Sequence, residues 1–176
     1  MMEMLYPKKY VGSVFELDTE FLKREKINTV IFDIDNTLVP YWIKKPTKEL
    51  ERYFLSLKES GVTVAVLSNS KEERSRVFCE GLDIPYEYRA GKPGTGGLKK
   101  LLKRLGASPE RSLLAGDQIF TDVWCANKGG LYSVLVKQVS KKDELITAPK
   151  RPFEKIVLYF YFRKTGNDGK QDKGQQ

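Results

Sequence analysis

Apolar positions change their period several times along the chain. From Asn28 to Asp33, from Gly61 to Asn69 (GVTVAVLSN), from Ser112 to Gly116 (SLLAG) and from Leu131 to Lys137 (LYSVLVK) they form short, β-branched-rich runs. Runs apolar on both faces predict strands of a parallel sheet covered by helices. Between them, Leu50, Tyr53, Phe54 and Leu57 fall at i, i+3, i+4 and i+7, and Leu98, Leu101, Leu102 and Leu105 repeat that spacing. This predicts two amphipathic helices. Ser70 followed by Glu73 reads as a capping box opening a third, and Gly61 and Gly106 stand where helix C-caps belong. Strands alternating with helices at short loop lengths predict an α/β fold: a doubly wound, mainly parallel sheet with helices on both faces.

Ligands of such sheets sit beyond the carboxyl ends of the strands, and polar residues interrupt the apolar pattern there. The stretch VIFDIDNTLV ends a buried run on Asp33 and Asp35; Ser68 and Asn69 end the next strand, and Gly116-Asp117 end the SLLAG strand. Burying carboxylates without partners costs several kcal/mol, so these charges belong at the strand's mouth. Three polar clusters therefore meet on one edge. Taken singly, each reads equally well as turn or helix-cap residues, and Lys92 before Pro93 reads as a surface lysine. Asn36, Asn69 and Thr121 read as cap or turn residues rather than catalytic ones. Residues Gly91 to Gly97 (GKPGTGG) lack the GxxxxGKS/T order of a P-loop, so their glycines suit a tight turn into the helix at Leu98.

Composition removes several chemistries. The 176 residues contain no histidine, which excludes Ser-His-Asp triads and histidine metal sites. Cys79 and Cys125 form no CxxC, and Pro85 and Leu131 stand six places after them where a cysteine-dependent phosphatase needs arginine. They read as core fillers in a reducing, cytoplasmic protein, and the N-terminus has no signal-peptide pattern. The length suits one domain over residues 1–164, with its core at about 28–137. Residues 1–27 mix aromatics with lysine, and 165–176 (TGNDGKQDKGQQ) lack apolar residues and read as a disordered tail. A net charge of +8 favours anionic partners: phospholipid surfaces, nucleic acid or phosphorylated substrates. Pro152 to Lys164 holds IVLYFYF between Lys155 and Arg163-Lys164. That run is too short to span a bilayer and reads either as an element packed on the sheet or as an amphipathic stretch held on anionic lipid.

DIDNTLV at Asp33 to Val39 resembles the first motif, DxDxT/V, of the haloacid dehalogenase (HAD) superfamily. The resemblance continues in order through LSNS (Ser68), GKP (Lys92) and GDQIFTD (Asp117, Asp122), from about Val30 to Val136. It implies that Asp33 attacks phosphorus to form an aspartyl-phosphate and that Asp35 serves as general acid and base. Thr37, Ser68, Asn69 and Lys92 would bind substrate, Thr37 also setting the loop, while Lys92 neutralises the transferring group. Clustered acids and a phosphate repel unless a hard cation intervenes. An all-oxygen site suits Mg2+, held by Asp33, the Asp35 main-chain carbonyl and Asp117, with Asp122 nearby or acting through water.

Many HAD enzymes insert a cap domain after the first motif or between the second and third. Here nine residues separate Thr37 from Thr47, and Ser68 to Lys92 holds barely one helix and one strand. An open site suits phosphate on something large. With the basic, aromatic ends, the pattern is similar to subfamily IIIA phosphatases related to phosphatidylglycerophosphate phosphatases, which implies a phospholipid substrate and peripheral association with anionic membrane. Tyr41 and Trp42 would line the entrance, dip into the interface or close the core. Two alternatives stand beside this: a phosphatase of nucleotides or nucleic-acid ends, and a non-catalytic basic domain that binds RNA.

Overall fold

The computed structural model describes residues 2–140 and 151–166. Six strands, β1 (Lys9–Val11), β2 (Thr29–Phe32), β3 (Thr63–Leu67), β4 (Tyr86–Glu87), β5 (Ser112–Gly116) and β6 (Tyr132–Val136), form one sheet in the order β1-β6-β5-β2-β3-β4. Every pairing is parallel, with Val30 opposite Val64 on one side and Leu113 on the other. Six α-helices accompany it among the described residues: α1 (Thr19–Arg24), α2 (Lys48–Glu59), α3 (Glu72–Cys79), α4 (Gly96–Leu105), α5 (Trp124–Gly129) and α6 (Arg151–Thr165).

The two-sided apolar strands have the consequence expected of them. Val30, Phe32, Val64 and Val66 pack with Phe21 of α1, Leu50, Phe54 and Leu57 of α2 and Phe78 of α3. Ile31, Ala65, Leu67 and Leu114 face the other way, onto Leu98, Leu101 and Leu102 of α4 and Cys125 and Ala126 of α5. Each fully buried Leu or Phe of this kind stabilises the fold by about 2 kcal/mol. Cys79 and Cys125 are buried free thiols within these layers.

Local signals act mostly as read. Thr47 caps α2, accepting from the Leu50 N–H at 3.2 Å. Gly61 and Gly106 take left-handed backbone (φ 78° and 62°) just past α2 and α4. The capping box is a correction. Helix α3 starts at Glu72 after Lys71 with no side-chain cap, and the Ser70 hydroxyl donates instead to Asp35 Oδ2 at 2.8 Å. A cap would use the Ser70 oxygen only as acceptor for a helix N–H, whereas the charge-assisted bond to the Asp35 carboxylate is the stronger one and fixes the hydroxyl there.

The core also extends beyond residues 28–137. Val11, Val14, Leu17, Phe21, Leu22 and Ile27 are buried in the main cluster, so the N-terminal segment supplies an edge strand and a helix. At the other end α6 reaches Thr165, inside the segment read as a tail; residues 167–176 lie outside the described ones. Helix α6 packs through one face: Val157 joins Ile119, Val123 and Leu135, and Tyr161 and Phe162 meet the rings of Tyr6 and Tyr10 at 5.9 and 5.7 Å. Its other face stays exposed.

The strand order places β2 at the point where the chain reverses direction across the sheet, stepping outward through β3 and β4 and then returning to β5 on the opposite side. In doubly wound sheets such a reversal point, beyond the carboxyl end of β2, is where ligands bind.

Candidate active site

Asp33 extends β2 by one more ladder bond, its N–H donating to Ala115 O at 2.9 Å. This fixes Asp33 at the carboxyl end of β2. The chain then folds back, with the Leu38 N–H on Ile34 O at 3.0 Å and the Asn36 N–H on Val39 O at 2.8 Å. Asn36 takes left-handed backbone, φ 59°, a conformation Asn tolerates better than most residues, and so acts as the turn residue anticipated. The turn sends Asp33 and Asp35 in different directions.

Around Asp33 lies a buried charge cluster. Lys92 Nζ donates to Asp33 Oδ1 at 2.8 Å, to Asp122 Oδ1 at 2.6 Å and to Leu67 O at 2.9 Å. Thr37 Oγ1 donates to Asp117 Oδ1 at 3.1 Å. Carboxylate oxygens of Asp33, Asp117 and Asp122 lie within 4.8 Å of one another, all three residues buried. Asp117 follows β5, and Asp122 sits in the π-helical turn Ile119–Val123, where the Gln118 N–H donates to Asp122 Oδ2 at 3.1 Å. Gly116 makes this possible: a Cβ there would collide with the Asp122 side chain.

Among the described residues Asp33 and Asp122 share the Lys92 ammonium, with Asp117 close by. Burial raises Asp33 well above the usual carboxylate range; Lys92 opposes this, while Asp122, Asp117 and Asp35 push it further up. Burial alone would lower Lys92, but Asp122 and Asp33 outweigh it and hold the ammonium above its ordinary value. Three carboxylates whose oxygens converge within 4.8 Å fit a hard divalent cation. Asp33, Asp117 and Asp122 are the side chains able to hold one.

The remaining sequence candidates surround this cluster. Ser68 is buried at the end of β3 and accepts from the Ser70 N–H at 3.1 Å. The Asn69 amide grips the backbone of Lys92, donating to its carbonyl at 3.0 Å and accepting from its N–H at 2.8 Å. Its side chain is thereby occupied, so Asn69 reaches a substrate only through the lysine loop. Thr121 bonds within its own turn, to Asp122 Oδ2 at 3.3 Å.

Asp35 is held apart from the trio. Ser70 engages its Oδ2, while Arg74 Nε donates to Oδ1 at 2.9 Å and Arg74 Nη2 pairs with the same oxygen at 2.8 Å. Arg74 Nη1 also donates to Lys44 O at 3.0 Å, tying the segment after the first motif to α3. Sequence reasoning took Ser70 for a helix cap and gave Arg74 no role; only the tertiary fold brings both to Asp35. It missed Glu154 as well. This buried acid of α6 accepts from the Ile119 N–H at 2.6 Å and the Phe120 N–H at 3.4 Å.

Comparison with known proteins agrees with this geometry. Residues 89–159 match the family described as HAD-hydrolase-like, a stretch that includes Lys92, Asp117 and Asp122 and runs into α6. The chain is 34% identical over 158 residues to the probable phosphatase YqeG of Bacillus subtilis, covering 90% of this chain and 92% of that protein. It is 27% identical to the chloroplastic/mitochondrial phosphatidylglycerophosphate phosphatase 1 of Arabidopsis thaliana, covering 92% of this chain but 49% of that protein. Among solved structures, the cobalt-bound deoxy-D-mannose-octulosonate 8-phosphate phosphatase of Haemophilus influenzae shares the fold. Its TM-score is 0.52 at 20% identity, over 85% of this chain and 97% of that one.

Proposed function

Because this chain belongs to the HAD superfamily and is an HAD-type phosphatase, we propose that it removes the terminal phosphate of a membrane phospholipid, with phosphatidylglycerophosphate the first candidate. The observation that carries the phosphatase chemistry is the buried Asp33–Lys92–Asp122 cluster at the reversal point of the sheet, with Asp35 two residues on and held by Ser70 and Arg74. The lipid assignment draws on the Arabidopsis relative, on a site with no inserted cap domain, and on the net charge of +8.

Asp33 attacks phosphorus in line with the ester oxygen and becomes an aspartyl-phosphate. Lys92 occupies Oδ1, which leaves Oδ2 as the attacking atom. Ser68 donates to a phosphoryl oxygen, and Lys92 offsets the charge gathering on the group in flight. Asp35 gives a proton to the departing alcohol and takes one from the water that cleaves the intermediate, releasing phosphate and restoring the Asp33 carboxylate. The partners of Asp35 sort its two oxygens. Arg74 can only donate, so Oδ1 must accept; the Ser70 hydroxyl can donate or accept, so Oδ2 is the oxygen able to carry the proton. A divalent cation, Mg2+ in this reading, would be held by Asp33, the Asp35 carbonyl, Asp117 and Asp122, and when bound supplies charge neutralisation between the carboxylates and the phosphate.

No described helix is long and apolar enough to cross a membrane, and the reading has the protein work peripherally on anionic lipid. The test is phosphate release from phosphatidylglycerophosphate in mixed micelles compared with nucleotides, 3′- and 5′-phosphorylated oligonucleotides and sugar phosphates. The reading expects the lipid to lead in kcat/KM by at least tenfold. The basic charge balance supports a second reading, a phosphatase of nucleic-acid ends, and faster release from those substrates would establish it instead.

A further inference from the structure

We infer that the outer face of α6 docks on an anionic lipid bilayer and that docking tightens the turn carrying Asp122, so that the membrane raises the activity of the site. The inference deepens the lipid-phosphatase reading and rests on it.

Helix α6 is apolar nearly all round. Its inner face covers Ile119, Val123 and Leu135. Its outer face carries Phe153, Ile156, Tyr159 and Phe160, exposed at 60%, 55%, 57% and 44%. A helix apolar on every side is normally buried on every side, so the outer face calls for a partner. The charges identify its chemistry. Lys155, Arg163 and Lys164 are exposed, whereas Glu154, the one acid of the helix, is turned inward and buried. Lys164 is paired with Glu3 at 2.5 Å, which leaves Lys155 and Arg163 as the helix's cations beside the exposed aromatics, a combination that favours an anionic membrane interface. Fifteen residues extend about 22 Å, so the helix lies along the surface. A second copy of this chain, at +8, would set cations against cations.

The inward acid connects this face to the chemistry. Glu154 accepts from the Ile119 and Phe120 N–H groups, which open the Ile119–Val123 turn and have no partner within it. That turn holds Asp122 against Lys92 at 2.6 Å. Glu154 is a positioning residue: it bonds the backbone that opens the turn carrying Asp122. The bilayer reaches the outer face while α6 stays docked, so binding favours the docked helix and its cap by mass action.

The test uses the full chain with vesicles of phosphatidylcholine alone or mixed with phosphatidylglycerol. Three quantities are read: co-sedimentation, amide hydrogen exchange at Ile119 and Phe120, and hydrolysis of p-nitrophenyl phosphate, a soluble ester that needs no membrane. Mixed vesicles should bind the protein, slow both amides several-fold and speed ester hydrolysis several-fold; phosphatidylcholine alone should do none of these. The double variant Ile156→Ser/Phe160→Ser should keep its basal ester hydrolysis and lose binding and response together. Glu154→Ala should still bind mixed vesicles yet exchange fast at both amides, and Glu154→Gln, whose amide oxygen still accepts, should recover part of the protection. The inference is overturned by absence of sedimentation, by binding that leaves the two amides unchanged or faster, by a double variant that responds like wild type, or by self-association through this face. Failure of the substrate reading looks different: vesicles would still slow the amides and speed the soluble ester, while phosphatidylglycerophosphate itself went unhydrolysed.

Discussion

Arg74 illustrates how much of this site depends on single residues outside its motifs. Its guanidinium holds Asp35 Oδ1 through two nitrogens and Lys44 O through a third, so the proposed acid/base group and the loop beyond it share one anchor. Arg74→Ala should lower kcat by about ten- to a hundredfold, a share of what a general acid–base group contributes, with little change in KM. Arg74→Lys, which keeps the charge but loses the planar fork, should restore only part. Steady-state kinetics on a soluble ester separates these outcomes, and an unchanged kcat in Arg74→Ala would remove Arg74 from the account. Residues at strand ends were legible in the sequence because carboxylates and hydroxyls interrupt otherwise apolar runs there: Asp33, Asp35, Ser68 and Asp117 stand where the period breaks. Ser70, Arg74 and Glu154 were not, since nothing local distinguishes a charge that meets the site from one that meets water.

Among the elements, the four central strands and helices α2 and α4 were readable because each buries a long, regular apolar pattern. Strands β1 and β4 were not. They have three and two residues, too few to display a period, and are recruited by pairing with β6 and β3. Helices α1 and α5, six residues each, escaped for the same reason. The end of β5 carries a sharper dependence. Because a Cβ at Gly116 would strike the Asp122 side chain, Gly116→Ala should push the Ile119–Val123 turn outward, at a cost of about 1–3 kcal/mol for overpacking. Calorimetry should record the lower Tm, and the metal concentration for half-maximal activity should rise. A variant with wild-type Tm and metal response would mean that the turn is not held against β5 as described.

At the scale of the whole molecule, the balance between the charged cluster and the fold sets a dependence on metal and pH. The raised Asp33 acid keeps its proton in the folded chain at pH values where the unfolded chain has already released it. Its contribution to stability is thus fully present at acid pH and is lost as pH rises past the ordinary carboxylate range, about 4. A divalent cation held by these carboxylates, as proposed, would offset that loss. The gain in Tm on adding Mg2+ should therefore grow as pH is raised from about 5 to 8, and Asp117→Asn, which removes one carboxylate of the cluster, should abolish most of the gain. A gain that is flat with pH, or one that survives Asp117→Asn undiminished, would contradict this picture.

The central claim is that phosphate passes through Asp33, and acid-quenched turnover followed by peptide mass spectrometry tests it most directly. During hydrolysis of a phosphomonoester with Mg2+ present, the account predicts a phosphoryl group on the peptide containing Asp33. It also predicts none in Asp33→Asn, whose fold survives and whose activity falls by at least a thousandfold, on the order of losing a nucleophile. Steady turnover with no phosphoryl group on Asp33, together with an Asp33→Asn protein active within a few-fold of wild type, would contradict it.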